Sequence, residues 1–504
     1  MRIHRALISA FHKEILLPWA ETLFSHGVEL LATDGTYRFL KDKGFEVQSI
    51  ESLTGFPSIF SGRLKTLHPT IMGGILYQRD HPDDLNEAKL YGIPAIDLVI
   101  VDLYPFEQTV ASTNHQEEII ENIDIGGISL IRAAAKNFKS VAVVADNASM
   151  NEALEWYRKG DGSFTEEQRM ILATRAFAVS SRYDAAILSY FSNQTGNHYL
   201  RITEDHHKIL RYGENPHQKG IYFGRSSSYF AQLHGKEISY NNLLDIDTAL
   251  SLISEFTEPT IAIIKHGNSC GIASHAELMT ALEMTLRGDP VSAFGGVIVS
   301  NRTIDKETVV KINSLFFEVI LAPGFENEAL QMLKSRKNRV ILQTTGKSLP
   351  DKLYRSAAGG FLMQDRDSFP DDPRQWECKT RVEPTPKQTE DLLFANKVVK
   401  HLKSNAIALV KNKQLIGMGA GQTSRVDALR YAIEKSHNFG FDLEGAVMAS
   451  DAFFPFADSV ELAHKAGITA IIQPGGSIKD QESIDYCDQH NMAMVFTGIR
   501  HFKH

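Results

Sequence analysis

The apolar run Ile261–Ile264 stops at Lys265-His266-Gly267-Asn268-Ser269-Cys270-Gly271. Polar side chains and two glycines at the end of a buried strand are costly for stability, so this juncture reads as a site. A lysine beside a histidine can hold the imidazole near neutrality, which suits acid–base work. Nothing local lowers the thiol pKa of Cys270, so it is not read as a nucleophile. A second group lies nearer the N-terminus: Gly62-Arg63-Leu64-Lys65-Thr66-Leu67-His68-Pro69, then Tyr104-Pro105-Phe106 after the run Ile96–Leu103, then Asp124-Ile125-Gly126-Gly127 ahead of a helix carrying Arg132, Lys136 and Asn137. Two glycines opening a helix admit an anion to backbone N–H groups, and basic residues neutralise it. Singly, each piece has an ordinary reading as a packing turn, a solvated charge or a half-buried aromatic. Grouped at strand ends, they predict a small phosphorylated ligand.

The elements that must position these residues alternate short β-branched runs with longer helical patterns, which predicts parallel sheets built from crossover units. Expected strands are Ala6–Ser9, Ile96–Leu103, Val141–Ala145, Ile261–Ile264, Val297–Val299, Ile407–Val410, Val447–Ala449, Ile468–Ile472 and Ala493–Thr497. Thr165 to Phe191 reads as helix, and the polar cluster Ser192–Asn197 that follows reads as a boundary. Proline density between Phe369 and Pro386 marks a second. The expected blocks are 1–196, 197–370 and 371–504. In open α/β sheets ligands bind beyond the carboxyl ends of strands, which is where the two groups fall. Asp289–Gly296 precedes a strand, and Gly417-Met418-Gly419-Ala420-Gly421-Gln422 is read as following one. The latter lacks the glycine spacing and the distant acid of a dinucleotide fingerprint. The aromatics of Ser450–Phe456 fit either a core or a stacking surface.

Composition narrows the function classes. At roughly 150 residues per domain, the 504 residues of the chain suggest about three folding units. Hydrophobic residues at 43% and charged residues at 23% are those of a globular chain, not a disordered one. Net charge is −8, so phosphate must be held in a local pocket and nucleic acid is not an expected partner. Cys270, Cys378 and Cys487 have neither disulfide nor metal-ligand spacing. With no leader pattern and no run of 18 apolar residues, the expectation is a soluble cytoplasmic protein without membrane contact.

Lys65–Pro69, Leu103–Phe106, Asp124–Gly127, Arg211-Tyr212-Gly213-Glu214-Asn215-Pro216-His217-Gln218, Lys265-His266, Ser450–Phe456, Gln473-Pro474-Gly475-Gly476-Ser477 and Arg500–His504 occur in an order that spans the whole chain. In that order the sequence resembles the bifunctional purine-biosynthesis family joining AICAR transformylase to IMP cyclohydrolase. The resemblance implies an α/β architecture: a methylglyoxal-synthase-like first domain, then two cytidine-deaminase-like transformylase subdomains. It implies formyl transfer from 10-formyltetrahydrofolate to AICAR, giving FAICAR, then dehydrative closure of FAICAR to IMP. It also implies a homodimer; zinc is not expected, and potassium is left open.

Residue by residue, the resemblance places Lys265 and His266 at formyl transfer, His266 as proton shuttle and Lys265 supporting charge on the formyl oxygen. Asn405 matches a position that orients the reacting amide and formyl groups. Arg211 and Tyr212 match AICAR contacts, and Phe456, Asp458, Arg500 and Phe502 match residues around the nucleotide and folate pockets. Phe294, Gly295 and Glu318 are further matching positions. For ring closure the matching group is Lys65, Tyr104, Asp124 and Lys136: cations for the developing oxyanion, phenol and carboxyl for the departing water. Ser9, Lys13, Thr36, Arg63, Thr66, Gly126 and Gly127 would hold the substrate.

Three departures from the family pattern stand in the first domain. Phe11 replaces a serine, Asp34 a glycine and Asp102 an asparagine. Two carboxylates near a dianion repel it unless they are paired or turned away. The alternative expectation is therefore an intact transformylase with weakened cyclohydrolase, or a silent nucleotide-binding protein. A zinc deaminase would need Cys-x-x-Cys, which the chain lacks. A methylglyoxal synthase would leave the Lys265-His266 group unused.

Overall fold

The computed structural model describes residues 1–504, apart from the side chains of Ser61 and Ala148. It separates into two compact units, Met1–Asp205 and His206–His504.

In the first unit the strands are β1 (Arg5–Ala10), β2 (Glu29–Ala32), β3 (Gln48–Ser49), β4 (Leu98–Asp102) and β5 (Ala142–Val144). They form one parallel sheet in the order β3-β2-β1-β4-β5. Ala6 and Ile8 enter one core with Trp19 and Leu98, while Leu7 enters the opposite core with Val99 and Ile131. Burial on both faces is why these strands read as unbroken apolar runs. The last helix, Glu166–Thr195, starts at a reciprocal Thr165–Gln168 cap. It stops at Gly196, whose φ of +67° only glycine adopts freely.

The second unit contains β6 (His207–Leu210), β7 (Gly220–Phe223), β8 (Phe230–His234), β9 (Thr260–Lys265), β10 (Asn268–Ser274), β11 (Val297–Ser300), β12 (Val319–Ala322) and β13 (Val340–Thr344). It continues with β14 (Lys352–Ala357), β15 (Gly360–Asp365), β16 (Glu377–Cys378), β17 (Ile407–Lys411), β18 (Gln414–Gly419), β19 (Ala446–Ser450), β20 (Ile468–Gln473) and β21 (Ala493–Phe496). Twelve of these make one sheet, β16-β21-β20-β19-β17-β18-β10-β9-β11-β12-β13-β8. The expected second boundary, near residue 370, falls inside this unit, whose halves share the sheet through the β10–β18 pair.

Each half repeats one plan. A helix (Tyr240–Ile253 or Pro386–Val399) leads into a hairpin (β9–β10 or β17–β18) and then into strands joined by helices. Each hairpin is antiparallel, and so is the pair formed with the following strand; only β11–β12–β13 and β19–β20–β21 run parallel. The expected parallel strands are thus present in both units, and in the second they are joined by antiparallel pairs, because a two-residue turn can only reverse the chain. Two stretches read as loops are also strands: Asn268–Gly271 opens β10, and Gly417 and Gly419 lie within β18. Gly417 serves packing, since a Cβ there would come within 2.5 Å of the Ala432 carbonyl on the helix Arg425–Asn438. Among the described residues, no helix is long and apolar enough to cross a membrane.

Candidate functional site

In the first unit the expected residues gather at the carboxyl ends of β1, β2 and β4. Ser9 Oγ accepts the Thr33 hydroxyl at 3.0 Å, and Thr36 Oγ1 accepts the Ala10 N–H at 3.1 Å. Thr33 is the N-cap of the helix Asp34–Asp42, and the Lys13 stem lies across Gly35 in its first turn. A cation over a helix N-terminus is an anion cradle. Phe11 is 42% exposed and meets Tyr104 edge-on at 5.4 Å.

The next group forms around the N-terminus of the helix Gly126–Lys136. Asp124 Oδ1 accepts the Gly127 N–H at 2.6 Å, and the Asp124 N–H donates to the Tyr183 hydroxyl at 2.8 Å. A side chain at Gly127 would meet Asp124, and one at Gly126 would lie 2.7 Å from Thr66 Oγ1. That hydroxyl is buried and has no hydrogen-bond partner among the described residues. Burial raises the Asp124 carboxyl above its ordinary value, against the Gly127 and Tyr104 N–H groups and the Lys65 charge, as desolvation of a charged form must. Burial, then the charges of Asp124 and Glu121, raises the Tyr104 phenol, so it stays protonated as a donor. Arg63 is held by Glu121 at 2.5 Å. Lys136 is not brought to this group: it ends the helix that Gly126 begins, about 15 Å of helical rise away.

In the second unit Lys265 ends β9 and donates through Nζ to the Phe294 carbonyl at 2.5 Å. His266 and Gly267 form the two-residue turn of the β9–β10 hairpin at φ +52° and +74°. Gly295, also left-handed, donates its N–H to the Phe316 carbonyl, and the Phe316 ring lies 5.0 Å from that of Phe294. Glu318 follows in the same region, bonded by Lys236 at 3.1 Å and Asn242 at 3.3 Å. Because β9 runs antiparallel to β11, the site takes in the carboxyl end of one strand and the amino end of the next.

Asn405 comes from the other half. The Lys403 N–H donates to Asn268 Oδ1 at 3.0 Å, which docks the segment before Asn405 onto the hairpin that carries His266. Asn405 donates to the Gln422 and Thr423 carbonyls and accepts from Arg425 Nη2 at 3.0 Å. Arg425 also grips the fully buried Asp451 at 2.8 Å. The chain's last residues lie alongside: Ser404 and Lys503 exchange backbone and hydroxyl bonds, and the His501 N–H donates to the Asp451 carbonyl. Arg500 stacks on Phe502 at 4.5 Å, and Lys479 lies 4.9 Å above Phe456. In Ser450–Phe456 the two readings divide, Phe454 being fully buried and Phe456 53% exposed. Asp458 begins the helix Asp458–Lys465. Arg211 stacks on its neighbour Tyr212, in a loop tied at Glu214 to Asn241. Burial pushes the Cys270 thiol up to about 12, which leaves it unreactive.

Asp245, which accepts the Gly267 N–H at 2.7 Å, and Lys403, Arg425 and Asp451 also contact these residues, and little in the sequence marks them. Only Asp451 carries a signal, as the polar member of an aromatic run. The others are ordinary helix or loop residues until the chain folds.

The family model described as "AICARFT/IMPCHase bienzyme" matches residues 134–435, and the "MGS-like domain" model matches residues 15–129. The chain is 54% identical over 503 residues to the bifunctional purine biosynthesis protein PurH of Bacteroides thetaiotaomicron, covering 100% of this chain and 99% of that protein. It is 46% identical to the protein of that name from Chlorobium phaeobacteroides, and 44% identical to that from Caldicellulosiruptor saccharolyticus, with at least 99% of each chain covered. A solved structure titled "Crystal structure of ForH" is 36% identical over 38% of this chain and 97% of its own, at a TM-score of 0.34.

Proposed function

Because the chain belongs to the AICARFT/IMPCHase bienzyme family, we propose that its second unit transfers the formyl group and its first closes the ring, through the side chains set out above. The enzyme carries out the last two steps of IMP synthesis, as a transferase and then a hydrolase. Formyl-folate is the co-substrate of the first step.

In formyl transfer the AICAR amine is a weak nucleophile, its lone pair being delocalised. His266 takes the proton as the amine attacks the formyl carbon, Lys265 faces the oxygen on which charge develops, and tetrahydrofolate leaves. Asn405 orients the acceptor; its amide is already fixed by three partners, so no rotamer freedom is lost on binding. Arg211, Tyr212, Phe294, Gly295, Glu318, Phe456, Asp458, Arg500 and Phe502 line the substrates. The observation that carries this reading is the Asn268–Lys403 bond, which spans 135 residues of sequence and sets Asn405 beside the Lys265-His266 turn.

In ring closure the carboxamide nitrogen attacks the formyl carbon. Lys65 supports the oxyanion, while Asp124, kept protonated more readily than an exposed carboxyl, and Tyr104 pass protons to the departing water. Ser9, Lys13, Thr36, Arg63, Thr66, Gly126 and Gly127 hold the phosphoribosyl group. The reading of a weakened cyclohydrolase or a silent binding protein is not favoured, because full-length relatives carry the bifunctional name and both suspect carboxylates have partners. A cytoplasmic homodimer is part of the proposal. The β14–β15 hairpin supports it, with Phe361, Leu362 and Met363 each more than half exposed, an apolar patch of the kind that marks protein contacts.

Replacing His266 with Ala tests the whole assignment. Tetrahydrofolate release should fall on the order of 100- to 10,000-fold while AICAR binding and FAICAR closure persist; near-normal formyl transfer would remove His266 from the role.

A further inference from the structure

His266 occupies a costly place. A two-residue hairpin with both residues left-handed favours Asn or Gly. A histidine held at φ +52° persists only where its surroundings fix it. What fixes it is on the preceding helix. Asp245 Oδ1 accepts the Gly267 N–H at 2.7 Å, and the His266 N–H faces the same carboxylate. The carboxylate also lies near the His266 ring and the Lys403 ammonium, and the Lys403 stem packs over Gly267.

The second half of the sheet contains the same device. Asp391, six residues after the N-cap Thr385 as Asp245 is six after the N-cap Ser239, accepts the N–H groups of Asn412 at 2.9 Å and Lys413 at 2.6 Å. Those two residues form the equivalent left-handed turn, at φ +55° and +53°. There the turn is closed: Lys413 is clasped by Glu258 at 2.8 Å and Glu390 at 3.1 Å. In the first copy the turn is open and presents a histidine. The fold therefore contains one carboxylate-capped hairpin for structure and one for chemistry.

We infer that Asp245 is a positioning residue for formyl transfer, acting through His266 by holding the backbone of its turn. The inference rests on the proposed role of His266. As the turn is anchored through the Gly267 N–H, the imidazole is presented from a held hairpin, and small displacements of such a group cost turnover on the order of 10- to 100-fold.

The test is a double-mutant cycle on the full-length enzyme, following tetrahydrofolate release and AICAR binding. Asp245→Ala should lower kcat for formyl transfer on the order of 10- to 100-fold and leave the AICAR Kd within about threefold. Asp245→Asn, which keeps one acceptor oxygen, should recover part of the loss. In a His266→Ala background the Asp245 substitution should change residual turnover less than about twofold. Asp391→Ala should lower the melting temperature while preserving formyl transfer. Equal losses from Asp245→Ala with and without His266, equal losses from Asp245→Ala and Asp391→Ala, or wild-type kcat in Asp245→Ala would each overturn the inference. If Asp245→Ala does not fold, the cycle is run with Asp245→Asn, whose independence of His266 would overturn it equally. Full activity of His266→Ala alone would instead defeat the assignment of His266, which separates the two failures.

Discussion

Asp102 Oδ2 accepts the His12 backbone N–H at 2.7 Å and lies 2.9 Å from Nδ1 of the same residue. The carboxylate ends β4 with 11% of its side chain exposed, turned toward the loop that follows β1. Asp34 is likewise engaged, by Arg38 one turn along its helix at 3.0 Å. Both acids that the family pattern would set against a phosphorylated ligand are therefore paired.

His12→Ala removes the imidazole from Asp102 but keeps the backbone N–H, leaving the carboxylate at the mouth of the first site less compensated. A less compensated carboxylate facing a dianion should raise the KM for FAICAR roughly fivefold, about 1 kcal/mol. Adding Asp102→Asn should reverse it. Steady-state IMP formation measures both, and an unchanged KM in His12→Ala would show that Asp102 lies outside the ligand's field.

A methyl group at Gly127 would stand 2.6 Å from Asp124 Oδ2 and 2.9 Å from a Leu103 methyl. The Asp124 carboxylate must move to admit it, so Gly127→Ala should lower the kcat of ring closure on the order of 100-fold. Formyl transfer should continue, as it belongs to the other unit. Separate assays with FAICAR and AICAR distinguish the two outcomes, and normal closure would mean that Asp124 is not held by that N–H.

The raised pKa of Asp124 has a sign for stability. A carboxyl titrating higher in the folded than in the unfolded chain binds its proton better when folded. Ionisation above the ordinary value of 3.8 therefore works against folding. Asp124→Asn should raise the melting temperature at pH 7 while stopping ring closure. The gain should fade as pH falls toward the ordinary carboxyl range. Thermal melts across pH 4 to 8 check this, and a lower melting temperature at pH 7 would contradict it.

Glu255 behaves oppositely. Burial pushes its carboxyl up, but hydrogen bonds and charge from His401 at 3.1 Å and Lys400 at 2.9 Å outweigh burial and bring it below the ordinary value of 4.5. Its contribution is present above the unfolded pKa and lost as pH falls through the folded one. Glu255→Gln leaves the Lys400 ammonium, 1% exposed, without its counter-ion, a loss of about 3–5 kcal/mol near neutrality. Urea unfolding should show that loss at pH 7 and a smaller one near pH 4; equal losses at both would contradict it.

Much of this protein was legible without the fold. Strand cores declared themselves because both sheet faces are buried, so Ala6–Ser9, Ile261–Ile264 and Ile468–Ile472 read as apolar runs. The long helix Glu166–Thr195 declared itself through apolar residues at helical spacing between Thr165 and Phe191. Asp124-Ile125-Gly126-Gly127 and Lys265-His266 stood out because chemistry there depends on neighbours in sequence: glycines that clear an N–H, a lysine beside a histidine.

What sequence could not supply were relations across distance. Gly417 and Gly419 resemble a ligand loop until a helix is seen lying against them, because a glycine admits a phosphate and a helix backbone equally well. Lys136 shares the motif region of Asp124 but stands at the far end of its helix. Asp34 and Asp102 looked like liabilities because charge is visible in a sequence and pairing is not. Sequence alone determined which residues could do chemistry and in which segments, since periodicity and local backbone demands are written along the chain. Only the tertiary structure decided that the Asn405 segment docks on the turn of His266, and that Asp245 holds that turn. The first contact depends on an antiparallel β10–β18 pairing that joins the halves of the sheet, the second on the helix Tyr240–Ile253 packing beside the β9–β10 turn, and no local spacing encodes either.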